Sequence, residues 1–138
     1  FVIIGGIKEV GIINDISNLF VQFAGDNLFL IFTLIVFASV FISAFIDNIP
    51  YVATMLPVVA SIAVQMNIDP TILYFGLLIG ATLGGNMTPI GASANIAGLG
   101  ILRKEGYEVS SKTFMKIGIP FTVAAVLSGY VLIWLIWA

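Results

Sequence analysis

The sequence predicts an all-α membrane protein, and three observations carry that expectation. Of 138 residues, 60% are hydrophobic and only 9% are charged, where a soluble domain carries about 25% charged residues. Residues 27–102 hold no basic side chain and only two acids, Asp47 and Asp69. The apolar runs inside that stretch are continuous rather than alternating, and about 20 such residues suffice to cross a bilayer. So few charges cannot coat a soluble globule, which excludes a soluble enzyme, a nucleic-acid binder and a disordered tail. The chain also has no Cys and no His. Thiolate metal sites, Cys nucleophiles and the commonest general base are therefore absent, and the chain reads as a non-enzyme with no cofactor and no catalytic residues.

Residues 1–25 place Ile3, Ile4, Ile7, Val10 and Ile13 at helical spacing among Lys8, Glu9 and Asp15. They read as the end of a truncated span followed by an amphipathic or interfacial helix. The opening Phe1-Val2-Ile3-Ile4 lies in mid-hydrophobic run with no initiator Met, so a C-terminal fragment of a longer protein is expected.

The next two apolar runs, about 27–46 and 51–66, are separated only by Asp47-Asn48-Ile49-Pro50. As helices they reach roughly 30 and 24 Å. They fit either two spans with a tight turn or a re-entrant hairpin whose tip stops inside the bilayer. Asn48 is expected to cap the second arm, with Pro50 in its first turn and Pro57 kinking it. Asp47 at the tip is a costly carboxylate in apolar surroundings, a placement that usually faces a cavity or a partner.

Residues 71–102 are uncharged and too long for one straight helix. Gly84-Gly85-Asn86-Met87-Thr88-Pro89-Ile90-Gly91-Ala92-Ser93-Ala94-Asn95 concentrates helix breakers and small polar groups in their middle. Pro89 forces Thr88 out of helical geometry, so the helix is expected to unwind there, and unwound backbone at membrane depth belongs beside a cavity. Asn86, Thr88, Ser93 and Asn95, with the carbonyls around Gly84, Gly85 and Gly91, offer oxygen ligands suited to a hard cation such as Na⁺. Gly76, Gly80 and Gly84 recur every fourth residue and read as a helix-packing stripe. Asp69 and Asp26 read as solvated helix starts.

Arg103, Lys104, Lys112 and Lys116 place the 103–116 loop in the cytoplasm by the positive-inside rule. The final run, 117–138, crosses once and ends in Trp134 and Trp137 at the far interface. The hairpin then opens outward, and the broken helix runs inward.

The chain resembles the ion transporter superfamily, the citrate-transporter-like permeases. These include arsenite permeases, NhaD-type sodium/proton antiporters, the melanosomal P protein and dicarboxylate transporters. The likeness rests on Ser43-Ala44-Phe45-Ile46-Asp47-Asn48-Ile49-Pro50, followed about forty residues later by the Gly84–Asn95 run, and on Gly5-Gly6-Ile7-Lys8-Glu9-Val10-Gly11. It covers essentially the whole chain. The resemblance implies that 1–138 is the second inverted repeat of a secondary transporter: a re-entrant hairpin at about 27–66, a broken transmembrane helix at about 71–102 and a final span at 117–138. It also implies a multi-pass protein of the plasma (inner) membrane. The expected partners are lipid, the N-terminal repeat of the same polypeptide, a small ion or anion as substrate, and a second copy in a homodimer. It draws Ser43, Asp47, Asn48, Gly85, Asn86, Thr88, Gly91, Ser93 and Asn95 into one ion or substrate site, with Na⁺ on Asp47, Asn48, Thr88 and Asn95.

Dicarboxylate members carry Ser-Asn-Thr at the hairpin tip, where this sequence has Asp47-Asn48-Ile49. An ionised Asp47 repels a carboxylate. The expected function is therefore Na⁺/H⁺-type exchange, with Na⁺ or H⁺ as the coupling ion. An arsenite or other oxyanion permease, or a dicarboxylate or citrate transporter, is the alternative. A structural membrane subunit without a substrate is the rival from another class.

Overall fold

The structure is a computed structural model, and residues 5–6 and 9–138 are described. The expected end of a span at residues 1–4 lies outside the described residues, as do Ile7 and Lys8 of the Gly5–Gly11 stretch. Among the described residues every regular element is helical, in keeping with the expected all-α class. From residue 12 on, six α-helices follow one another: α1 (Ile12–Ala24), α2 (Leu28–Ser43), α3 (Asn48–Met66), α4 (Thr71–Gly84), α5 (Ser93–Lys104) and α6 (Ser111–Trp137), with one 3₁₀ turn at Gly85–Met87 between α4 and α5.

The amphipathic reading of the first segment holds for α1, which buries Ile13, Ser17 and Ala24. The α2 start is set by Asn27, whose side chain accepts from the Leu30 N–H at 3.2 Å, rather than by Asp26. At the tip, Asp47 and not Asn48 caps the second arm. Its Oδ1 accepts from the Ile49 N–H at 3.4 Å, and Asn48 is the first helical residue. The physical reason is register: the helix begins at Asn48, one residue earlier than a cap at Asn48 requires, so the capping role falls to Asp47. The second arm is consequently the longer, 19 residues against 16 for α2. Pro57 lies within a continuous α3. Asn67, in the left-handed region at φ 53°, closes α3. Asp69 lies just ahead of the next helix, whose cap position is Pro70, and its side chain accepts from the Thr71 N–H at 2.8 Å.

α2 and α4 run parallel and in close contact, because the glycine stripe leaves no side chain between them. A Cβ at Gly76 would lie 2.8 Å from the Phe32 ring, one at Gly80 would strike the Val36 carbonyl, and one at Gly84 would lie 2.6 Å from the Val40 carbonyl. Around this seam Ile31, Phe32, Ile35, Val36, Val58, Val59, Ile62, Leu73, Leu77 and Ala81 form the buried core. α6 crosses antiparallel to α4. Thr122 donates to the Leu83 carbonyl at 3.4 Å, and Tyr130 stacks on Phe32 with ring centres 5.0 Å apart. Trp134 packs edge-on against Phe29 at 4.9 Å.

Two consequences position the site. The α2–α3 turn lies level with the point where α4 breaks, since α2 and α4 run parallel. The open end of the hairpin shares its end of the bundle with the C-terminus of α6. α3 and α6, at mean hydropathy 1.6 and 2.1, are long and apolar enough to cross a membrane, whereas α2 is a shorter apolar helix.

Candidate functional site

The unwound segment follows from its sequence. Thr88, before Pro89, is extended at φ −124°, ψ 157°, and Ala92 is extended at φ −143°, ψ 141°. The expected break therefore separates α4 from α5. Backbone freed by such a break needs partners, and it finds them in the hairpin tip. The Thr88 hydroxyl donates to the Ala44 carbonyl. The Ser43 hydroxyl donates to the Ala81 carbonyl one turn before the break. Gly91 sits where a Cβ would lie 2.7 Å from the Ala44 carbonyl and 2.9 Å from the Ser43 carbonyl. Only a glycine lets these two backbones approach so closely.

Asn95 completes the turn from the far side. Its Nδ2 donates to the Gly85 carbonyl at 2.9 Å and to the Thr88 carbonyl at 3.0 Å. One α5 side chain thus ties the first helical turn back over the break. Asp47 makes the remaining link. Its Oδ2 accepts from the Ser93 N–H at 3.2 Å while Oδ1 accepts from Ile49. The carboxylate therefore lies across the N-terminal ends of α3 and α5, where backbone N–H groups and both helix dipoles favour negative charge.

All nine expected site residues gather at this junction, but they fall into two kinds. Ser43, Gly85, Thr88 and Gly91 are buried and hold backbone to backbone. Asn95 holds the break with its amide hydrogens. Asp47, Asn48, Asn86 and Ser93 are half-buried or exposed. The Asn48 and Asn86 side chains make no hydrogen bond to another described residue, whereas both Asp47 oxygens accept a backbone N–H. Among the described residues no group of three or more acids converges. A cation here would rest on one carboxylate and neutral oxygens.

Other groups carry the site without having stood out in the sequence. Ala44 and Ala81 act only through carbonyls, which no side-chain pattern marks. Gly118 lets α6 close onto the break, since a Cβ there would lie 2.5 Å from the Asn86 carbonyl. Its signal was a lone glycine in an apolar helix. Ser39 and Tyr51 join the two hairpin arms at 3.0 Å, and polar side chains on facing apolar arms could have revealed that pair. A cavity of about 660 Å³ opens between α5 and α6, with Asn86, Asn95 and Thr113 on an otherwise apolar wall that includes Leu102 and Phe121.

A hairpin tip held against a broken helix is the arrangement that the motif resemblance implies, and comparison with known proteins identifies the family. The family model described as citrate transporter matches residues 1–138. An uncharacterized transporter of Mycobacterium tuberculosis is 38% identical over 137 residues, covering 98% of this chain and 32% of its own length. An uncharacterized transporter of a Synechocystis strain is 30% identical, covering 98% of this chain and 34% of its own. The human P protein is 40% identical over 98 residues, 70% of this chain and 12% of its own length. No solved structure matches. The chain spans about a third of the length of the bacterial relatives it matches. The family is one of transporters rather than enzymes, and its members are integral membrane proteins. With its whole length matched and its two motifs interlocked, this chain belongs to the citrate transporter family.

Proposed function

We propose that this chain forms one half of the transport site of a secondary active transporter, working by Na⁺/H⁺-type exchange in which Na⁺ and a proton compete for Asp47. The observation that carries the reading is the placement of one carboxylate at the junction of hairpin tip and broken helix, in a stretch whose only other charge is Asp69. Neutral oxygens from Asn48, Asn86 and the unwound backbone complete a flexible oxygen set of the kind hard cations take. Na⁺ and H⁺ each neutralise the same carboxylate, so occupancy by one excludes the other, which is what exchange requires.

Helix lengths support the membrane placement. The 16 residues of α2 reach about 24 Å, short of a hydrocarbon core of about 30 Å. That supports a re-entrant hairpin whose tip stops at membrane depth, the longer α3, itself of spanning length, extending past α2 at the open end. The length of α6 supports a full span, and the four basic residues of 103–116 favour a cytoplasmic loop. The missing half of the site is assigned to an N-terminal repeat of the same polypeptide. Residence in the plasma membrane and pairing as a homodimer belong to the same proposal.

A second reading has its own support. Two helix N-termini face the tip, and such ends favour anions, so an arsenite or other oxyanion permease fits the dipoles. Citrate itself fits less well, because the Asp47 carboxylate already takes the N–H groups that a substrate carboxylate needs. The test is transport by the full-length protein in vesicles offered Na⁺, Li⁺, arsenite, citrate or sulfate separately. Na⁺- or Li⁺-driven proton movement is expected. Citrate uptake without it overturns the exchange reading, and arsenite or sulfate movement without it selects the second.

A further inference from the structure

The α5 helix is joined to the rest of the molecule in an unusual way. None of its residues from Ser93 to Lys104 is buried. Ile96 and Ile101 are exposed, and Gly98 and Gly100 have no atom within 4 Å of a would-be Cβ. Extended backbone at Thr88 and Ala92 precedes it, and Gly106, in the left-handed region at φ 86°, follows it. On its α6 side lies the 660 Å³ cavity. Asn95 ties α5 only to the break itself. Among the described residues, the one hydrogen bond between α5 and the hairpin runs from the Ser93 N–H to the Asp47 carboxylate.

We propose that α5 is a hinged arm, that Asp47 is the clasp holding its first turn to the hairpin tip, and that a cation binding Asp47 opens the clasp. The second half of this statement rests on the cation reading above. A carboxylate bonded to a backbone N–H is a strong acceptor because it is charged. A cation seated on the same oxygens draws that charge away and competes with Ser93 for it. The arm then swings about the 88–92 segment and Gly106, with the cavity supplying room. Asp47 is in this respect a positioning residue: it acts on α5 through Ser93. The consequence for transport is a link between ion occupancy and the shape of the cytoplasmic half of the broken helix.

The chain contains no cysteine, so spin labels are placed cleanly at Ile101→Cys on α5 and Leu132→Cys on α6, both exposed positions, in the full-length protein freed of any other cysteine. Ser93→Pro is the decisive variant. Ser93 is the first residue of α5 and Ala92 before it is already extended, so proline fits the backbone while removing the N–H together with the hydroxyl. Ser93→Ala, which keeps the N–H, is the control for the hydroxyl and is expected to retain the wild-type distribution. The label-to-label distance distribution of Ser93→Pro is expected to shift and broaden relative to wild type in the absence of Na⁺. Asp47→Asn is expected to shift the same way by less, since a neutral amide oxygen is the weaker acceptor. Saturating Na⁺ is expected to move the wild-type distribution towards that of Ser93→Pro. A wild-type distribution in Ser93→Pro overturns the clasp. An unshifted Asp47→Asn beside a shifted Ser93→Pro overturns its dependence on charge. A shift in both variants with no wild-type response to Na⁺ upholds the clasp and removes the cation reading instead.

Discussion

Asn95 spends both amide hydrogens on the Gly85 and Thr88 carbonyls, so its removal leaves two carbonyls of the break without a partner. Hydrogen bonds of this kind contribute about 0.6–1 kcal/mol each in membrane proteins and soluble ones. Asn95→Ala is therefore expected to lower the unfolding free energy by about 1–2 kcal/mol, read as a fall in Tm in detergent. An unchanged Tm would show that the break is held by something else. The glycines divide on the same physical ground. Gly80→Ala drives a Cβ into the Val36 backbone, an overpacking that costs about 1–3 kcal/mol. Gly98→Ala meets open space and gains helix propensity, so it is expected to be neutral or stabilising by up to about 1 kcal/mol. Equal effects from the two substitutions would contradict the described packing of α2 on α4.

At the scale of elements, the broken helix was legible because its cause is local. Pro89 fixes Thr88 in extended backbone, and the surrounding Gly, Ser and Asn supply breakers and ligands within one short window. The glycine stripe was legible for a similar reason, since a repeat of four residues marks one face of a helix. The helix starts were less so. Asp47, Asn48, Asp26 and Asn27 are all good caps, and the choice between neighbours depends on which N–H groups the folded turn brings within reach. The link from Asp47 to Ser93 was not legible at all, because it joins positions 46 residues apart through a backbone group. Asp69 offers a check on one helix start outside the spans. The Thr71 side chain and N–H hold its carboxyl below the ordinary value of 3.8. A depressed folded value means the contribution is present above the unfolded pKa and is lost as pH falls through the folded one. Asp69→Asn is thus expected to lower Tm at neutral pH, and the gap from wild type to close as the pH is taken down to where Asp69 is protonated in the folded protein as well. A gap that stays constant down to that pH would contradict this role. For the hairpin as an element, Lys112→Cys is expected to react with an impermeant thiol reagent from the cytoplasmic side, and Ile46→Cys at the tip far more slowly. Equal, rapid reaction of both from that side would favour two full spans.

Across the whole molecule, the low charge content that first identified a membrane protein has a mechanistic counterpart. Because residues 27–102 hold only Asp47 and Asp69 as charges, the charge at the tip–break junction is set by whatever sits on Asp47. The rest of the fold serves that placement. The α2–α4 seam brings the tip level with the break, Ser43, Thr88 and Gly91 lock the two together, and α6 closes over Asn86 at Gly118. The residues that meet at this junction were legible as a set, whereas the division between those that hold backbone and those whose side-chain oxygens are uncommitted emerged only from their hydrogen bonds. The most direct test is Na⁺-driven proton movement in vesicles containing the full-length protein, wild type against Asp47→Asn. The account predicts robust exchange in the wild type and loss of nearly all of it in Asp47→Asn with folding intact; full exchange by Asp47→Asn would contradict it.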